Sequence, residues 1–184
     1  MDQNAEQLCR AAQAGDRGAA SNLIELFYER IFCYFRRLCG NEDDAADLTQ
    51  KTFVKTWTSL PSFQARSSFS TWIHGIAHHT YVDWRRKKNF IDPQNEDWWE
   101  TCAEAGPGPF EHTADRDLAR QLYAAVEQLD DEARQIVHLH YYQGLSLQET
   151  ADILKIATST VKYRLRNALD FLKAQTAEPK LRPG

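Results

Sequence analysis

Long apolar runs are missing from this chain of 184 residues. None approaches the roughly 18 consecutive residues that a membrane-spanning helix needs. The N-terminal MDQNAEQLCRAAQ has no basic start followed by an apolar stretch, so it does not read as a secretion signal. The chain is therefore expected in the cytoplasm, with no direct membrane insertion. Cysteine is sparse: Cys9, Cys33, Cys39 and Cys102 form no CxxC pair and keep no regular spacing. Free thiols in a reducing compartment are the expectation, with Cys33 in a core. No nucleophile–base or phosphate-loop motif appears, which leaves no enzyme chemistry to assign. His74 and His78 have the four-residue spacing of one helical face, and His79, His138 and His140 add further imidazoles. No carboxylate or cysteine stands close enough in sequence to complete a metal site, so neither metal nor cofactor is expected.

A strong basic excess is also lacking. The formal net charge is −4, which at first argues against a nucleic-acid partner. The charge is unevenly spread, however. Residues 1–88 carry 12 Lys/Arg against 10 Asp/Glu, residues 89–117 carry 1 against 8, and residues 118–184 carry 9 against 8. The acidity sits in one middle segment between two weakly cationic ones. A protein that neutralises many phosphates unaided usually has a larger basic surplus. If DNA is the target, another molecule supplies much of the affinity.

What the chain does have is helical periodicity in two blocks. From Ala19 to Cys39, Leu23, Ile24, Phe27, Ile31, Tyr34, Phe35 and Leu38 recur at steps of three and four. Asp16 or Ser21 could cap the start, and Gly40-Asn41 the end. A second helix is predicted from about Asp43 to Ser59, with Ala45, Ala46, Thr49, Phe53 and Trp57 inward. A third follows the polar loop Ser62–Ser68. Its core arc is Phe69, Ile73, Ile76, Ala77, Thr80 and Trp84. Its opposite side collects His74, His78, Val82, Arg85 and Arg86, with His79 and Trp72 at the edge. Cations beside aromatic rings suit an opened nucleic-acid strand, since rings stack on bases at roughly 1–3 kcal/mol each. Taken alone, that pattern fits a merely solvated face equally well.

From Asn89 the periodicity stops. Three prolines, two glycines and the acidic cluster, with a Trp98-Trp99 pair, read as an extended linker joining two domains. Helical pattern returns at Leu118. One amphipathic helix runs through Leu129 and another from Glu132 to Tyr142, with Ile136, Val137, Leu139 and His140 near its inner side. Ser146-Leu-Gln-Glu149 fits a capping box opening a short helix to Leu154. Lys155-Ile156-Ala157 makes a tight turn, and Thr158–Lys173 forms the last helix. This is a helix-turn-helix layout. In the last helix Val161, Leu165, Ala168, Leu169 and Leu172 face inward, opposite Ser159, Tyr163, Arg166 and Asn167, with Lys162 and Arg164 on the flanks. Polar residues towards base edges and cations at the groove walls suit a recognition helix.

Together these segments resemble the extracytoplasmic-function sigma factors of the sigma-70 family. The stretch Asp43-Asp44-Ala-Ala-Asp47-Leu48-Thr-Gln50-Lys-Thr52-Phe53-Val-Lys55-Thr-Trp57 is similar to the family's polymerase-docking segment. Phe63 to Ala77, followed by Asp83-Trp84-Arg85-Arg86, is similar to its loop and helix for the −10 element. Leu129–Leu139, Gly144-Leu-Ser146, Glu149-Thr-Ala151 and Thr160–Leu165 are similar to its −35 reader. The chain departs from the pattern at four places. His79 stands where asparagine is usual, Ala65 where glycine is common, Ala157 in place of the usual serine cap, and Asp130 in place of a common proline.

The resemblance implies an all-α fold of two small helical domains joined by an extended acidic linker. The boundaries would be residues 1–88, a linker over 89–117, residues 118–176, and a disordered tail over 177–184. It implies a non-catalytic role: binding core RNA polymerase through the β and β′ subunits and giving it promoter specificity. Asp44, Asp47, Leu48, Gln50, Lys51, Val54 and Lys55 would dock on the polymerase, with Leu48 and Val54 offering exposed apolar area. Phe63, Arg66, Ser67, Ser68, Phe69, Trp72, His74, His78, His79, Arg85 and Arg86 would serve the −10 element. Ser159, Thr160, Lys162, Tyr163, Arg164, Arg166 and Asn167 would serve the −35 element. An anti-sigma factor, often membrane-tethered in this family, would hold the chain inactive. The competing expectation is a stand-alone helix-turn-helix regulator, which accounts for residues 118–173 but leaves the first block idle.

Overall fold

The computed structural model describes residues 2–87 and 116–177. The expected linker and tail, with Trp98, Trp99 and Cys102, lie outside the described residues, except that Arg116 and Asp117 open a helix and Ala177 ends one. Among the described residues there is no strand. The chain divides into two compact units, one within residues 1–105 and one within residues 106–184.

The first unit holds four helices: α1 (Asp2–Gln13), α2 (Arg17–Cys39), α3 (Glu42–Ser59) and α4 (Phe69–Lys87), with a 3₁₀ turn at Leu60–Ser62. Its N-terminal helix is a full three turns and packs on α2, on α4 and on the 3₁₀ turn. Asp16 caps α2, its Oδ1 accepting the N–H groups of Gly18 (2.8 Å) and Ala19 (3.1 Å). Gly40 ends that helix in the left-handed region at φ 67°, its N–H donating to the Arg36 carbonyl. Asn41 caps α3 by accepting the Asp44 N–H at 2.9 Å. The acidic first turn, Glu42–Asp44, faces the positive end of the helix dipole.

Two helix faces differ from the expectation. In α3 the buried residues are Ala45, Leu48, Thr49, Thr52 and Thr56, while Ala46 and Trp57 are exposed and Phe53 is half-buried. The inward stripe is thus rotated towards threonines, which periodicity counts as polar. A threonine can bury its methyl group in such a stripe, and Thr49 also satisfies its hydroxyl within its own helix, 2.7 Å from the Ala45 carbonyl. In α4, His74 and His78 are buried with Phe69, Ile73, Ala77, Thr80 and Tyr81. This helix packs against α1, α2 and α3, so a single inward arc does not describe it.

The second unit comprises α5 (Arg116–Glu127), α6 (Asp131–Val137), a π turn (His138–Tyr142), α7 (Leu147–Leu154) and α8 (Thr158–Ala177). Val126, Ile136, Val137, Ala151, Val161, Leu165, Ala168 and Leu172 form its core. Asp130 caps α6 by accepting the Ala133 N–H at 2.9 Å. The expected helix through Tyr142 changes pitch at His138, where the Gln143 N–H reaches the His138 carbonyl at 3.0 Å. The wider turn buries His138 completely and leaves His140 only half-buried, reversing the expected order of the two.

Candidate nucleic-acid and docking surfaces

The largest apolar exposure in the first unit lies between α2 and α3. Ile24, Tyr28, Val54 and Trp57 are 40–58% exposed there, although each is a large hydrophobic residue. With Phe53, Ala46, Asp47 and Gln50 they line an open groove of about 900 Å³. The Tyr28 ring stacks with Phe32 at 6.3 Å and with Phe53 at 6.0 Å between ring centroids. Of the seven residues expected to dock, Asp47, Gln50 and Val54 line this groove. Leu48 does not: at 1% exposure it belongs to the core, because the stripe of α3 is rotated as described. Asp44 is engaged by Asn41, and Lys51 pairs with Asp47 one turn away. Lys55 reaches across to α4, 3.2 Å from the Thr80 hydroxyl and 3.8 Å from the Asp83 carboxylate. Sequence reasoning missed Ile24, Tyr28, Phe53 and Trp57 here. Placing Thr52 and Thr56 in the core of α3 beside Thr49 would have turned Phe53 and Trp57 outward.

The loop from Phe63 to Ser68 sits on an aromatic base. The Phe63 ring lies 4.6 Å from Trp72 and 6.0 Å from Phe69, and Phe69 lies 5.2 Å from Phe27. At the loop's exit Ser68 caps α4: its Oγ accepts the Thr71 N–H at 3.1 Å and pairs with the Thr71 hydroxyl at 2.8 Å. Ala65 takes the left-handed conformation, φ 51°, which supplies a physical reason for glycine being common there. The −10 candidates therefore separate into three groups. Arg66, Ser67, His79, Arg85 and Arg86 are exposed, and Trp72 is half-buried. Phe63, Ser68 and Phe69 build the support of the loop. His74 and His78 are core residues: His74 is fully buried, its Nδ1 2.7 Å from the Ser70 carbonyl and its ring edge-on to Tyr34.

In the second unit α8 divides cleanly. Val161, Leu165, Ala168 and Leu172 are at most 7% exposed, whereas Tyr163 on the far side is 66% exposed. Ser159, Lys162, Arg166 and Asn167 share the exposed side, and Thr160 is half-buried. Arg164 is half-buried and ion-paired to Glu132 of α6 at 2.6 Å, so its guanidinium is held rather than free. The capping box at Ser146 is present, with Glu149 N–H to Ser146 Oγ at 3.2 Å and Ser146 N–H to Glu149 Oε2 at 2.9 Å. Lys155 makes the turn at φ 59°. Ala157 occupies the N-cap position of α8, and Thr158 is the first helical residue. Its hydroxyl donates to Gln148 Oε1 at 2.7 Å, tying α7 to α8. Behind this surface Arg134 pairs with Glu127 at 2.8 Å. Burial pushes the Glu127 carboxyl above its usual range, and the adjacent Arg134 opposes that shift.

Among the described residues no group of three or more His, Cys, Asp or Glu is arranged to hold a metal ion. No described helix is long and apolar enough to cross a membrane.

Residues 23–91 match the family model of sigma-70 region 2, and residues 119–172 that of sigma-70 region 4. The RNA polymerase sigma factor YlaC of Bacillus subtilis is 32% identical over 161 residues, which span 85% of this chain and 91% of that protein. This chain belongs to the extracytoplasmic-function sigma factors of the sigma-70 family. It is also 25% identical to the ECF sigma factor SigW of Bacillus subtilis, over 95% of its own length and 98% of the relative's. The structure of CnrH in complex with the cytosolic domain of CnrY has the same fold, with a TM-score of 0.69 at 21% identity over 93% of this sigma factor and 96% of that chain. The all-α, two-unit architecture is thus that of region 2 and region 4 modules on one polypeptide.

Proposed function

We propose that this sigma factor brings core RNA polymerase to promoters in the cytoplasm and takes no catalytic part itself. The α2–α3 groove, with Val54 and Trp57 projecting from α3, would seat the β′ subunit, and α8 would enter the −35 major groove. Tyr163, Arg166, Ser159 and Asn167 would meet base edges there, and Lys162 a phosphate. Arg164 would join them only by exchanging Glu132 for a phosphate. The loop Gln64–Ser67 would hold a base drawn from the non-template strand, offsetting the few kcal/mol that unstacking costs. Trp72, His79, Arg85 and Arg86 would flank the opened strand. The acidic segment 89–117 would lie along the enzyme's positively charged nucleic-acid path, joining domains bounded near residues 88 and 118.

One observation carries this reading: a single chain presents an exposed apolar groove in its region 2 module and a polar, cationic helix face in its region 4 module. A helix-turn-helix regulator acting alone has no use for the groove. Control by an anti-sigma factor is part of the proposal. The solved relatives CnrH, bound to the cytosolic domain of CnrY, and RpoE, bound to the anti-sigma factor NepR of Bartonella quintana, lend it support.

Run-off transcription with core polymerase on a promoter library tests the function. Transcripts starting at a shared −35/−10 pattern are expected, with weak DNA binding by the isolated chain; tight, polymerase-independent binding would sink the proposal. Val54→Asp places a charge in the groove and should lower polymerase affinity about tenfold or more, a loss typical of a buried contact at an interface centre. Thermal stability should stay within about 0.5 kcal/mol, because Val54 is exposed in the free chain.

A further inference from the structure

We infer that Gln13, at the end of α1, is a positioning residue for the promoter-opening loop. The inference rests on the reading of that loop as the element that holds an extruded base. The Gln13 side-chain Nε2 donates to two main-chain carbonyls far away in sequence, Leu60 at 2.9 Å and Phe63 at 2.8 Å. Both partners are acceptors without a proton, which fixes the orientation of the amide: only its NH₂ group can serve both. The same Leu60 carbonyl also accepts the Phe63 N–H at 3.1 Å, closing the 3₁₀ turn. The entry to the loop is therefore fastened by three hydrogen bonds, two of them from one side chain of α1.

The placement of Gln13 is built into the sequence. Ala5, Cys9 and Ala12 are buried and seat α1 on its neighbours. The chain then reverses through Ala14 and Gly15, the latter at φ 94°, before Asp16 caps α2. Gln13 is the last helical residue before this reversal, exposed but next to the 3₁₀ turn on which α1 packs. At the loop's other end the Ser68–Thr71 pair fixes the exit. Between the two fastenings Gln64, Ala65, Arg66 and Ser67 are all exposed. A loop that must receive a base loses affinity if the act of binding has to order it first. Gln13 removes part of that cost in advance, which gives α1 a role in opening DNA through the loop it fastens.

The test uses full-length protein reconstituted with core polymerase on a promoter selected by the wild-type holoenzyme. Gln13→Glu keeps the side-chain shape and replaces both donors by acceptors, and Gln13→Ala removes them. Both should slow open-complex formation, by about three- to tenfold for alanine, the scale of one or two partly exposed hydrogen bonds, and by more for glutamate. Polymerase affinity should be unchanged. Amide hydrogen exchange should rise at residues 63–68 and not elsewhere in the first unit. A rise throughout that unit would make Gln13 an ordinary stabilising residue and overturn the inference. A Gln64→Ala, Arg66→Ala double variant separates the two levels of the argument. If it opens the promoter like the wild type, the reading of the loop fails; if it is defective while Gln13→Glu is not, the inference about Gln13 alone fails.

Discussion

Helices α4 and α8 carry the residues assigned to the two promoter elements, yet they are built differently. In α8 one stripe is buried and the far side is open along most of its length, so Ser159, Lys162, Tyr163, Arg166 and Asn167 can face a groove together. In α4 neighbours on several sides bury Phe69, Ile73, His74, Ala77, His78, Thr80 and Tyr81, leaving exposed only His79 and Asp83 along the body and Arg85–Lys87 at the end. A helix sunk this deeply cannot lie in a DNA groove. If the first unit meets nucleic acid as proposed, its exposed contacts are the loop that precedes α4, His79 and the half-buried Trp72 on that helix, and the basic last turn. Duplex reading thus suits the exposed helix, and capture of a single base suits a loop stapled to a rigid base.

The largest effect that would break this contrast lies at His74. Its imidazole is fully buried against Tyr34 and the Ser70 carbonyl. His74→Asp forces a carboxylate into that space and should destabilise the first unit by about 3 kcal/mol or more, as stranded buried charges do. Thermal or urea unfolding measures it. A variant that melts like the wild type and loses only strand binding would return His74 to the DNA-facing side and undo the comparison.

The contrast is sharpened by the opposite behaviour of Arg166. This side chain is exposed and outside the core. Arg166→Ala should leave the melting temperature unchanged and weaken recognition of a −35 element by about 1–3 kcal/mol, the usual worth of an arginine on a base edge. Selection of promoters by the variant holoenzyme should relax at one position and no other. Uniform weakening across sequences would place Arg166 on a phosphate instead.

The same contrast explains what the amino-acid sequence disclosed. Periodicity identified the faces of α8 because that helix has one packed side, which is the case the 3.6-residue rule describes. It misassigned His74 and His78 because polar residues on a helix with several neighbours are not thereby exposed. It misassigned Ala46 and Trp57 because the inward stripe of α3 is made largely of threonine, and Leu48, expected to be exposed from the family resemblance, is buried in that stripe. Side-chain caps were legible at Asp16 and in the Ser146–Glu149 box, but those at Asn41, Ser68 and Asp130 were not. The aromatic stack under the loop and the Gln13 clamp join residues up to 50 positions apart, and no local pattern encodes such pairs.

A smaller effect tests a second departure from the family pattern that the structure makes costly, beside the left-handed Ala65. Ala157 holds the N-cap position of α8 with no side-chain oxygen to offer. Ala157→Ser should stabilise the second unit by about 1 kcal/mol. Amide exchange in α8 of the intact chain would register it as slower opening. No change would mean that the helix starts elsewhere.

The smallest expected effect concerns Glu127, whose partly buried carboxyl is pushed above its ordinary pKa of 4.5 by desolvation, with Arg134 opposing. A carboxyl whose pKa is higher in the folded than in the unfolded chain binds its proton more tightly when folded. Its contribution to stability is fully present below the ordinary carboxylate range and is lost as pH rises through the raised value. The second unit should therefore lose a little stability from this group on going from acid to neutral pH, against the gain that exposed, cation-paired carboxylates usually give. Glu127→Gln retains an oxygen that can accept from Arg134 but cannot titrate, so it should remove that slope. Exchange rates of second-unit amides, followed across this range in both proteins, provide the measurement. A steeper loss in the glutamine variant would mean that the Arg134 pairing outweighs burial, and that this side of the α8 support is held by charge instead of by packing.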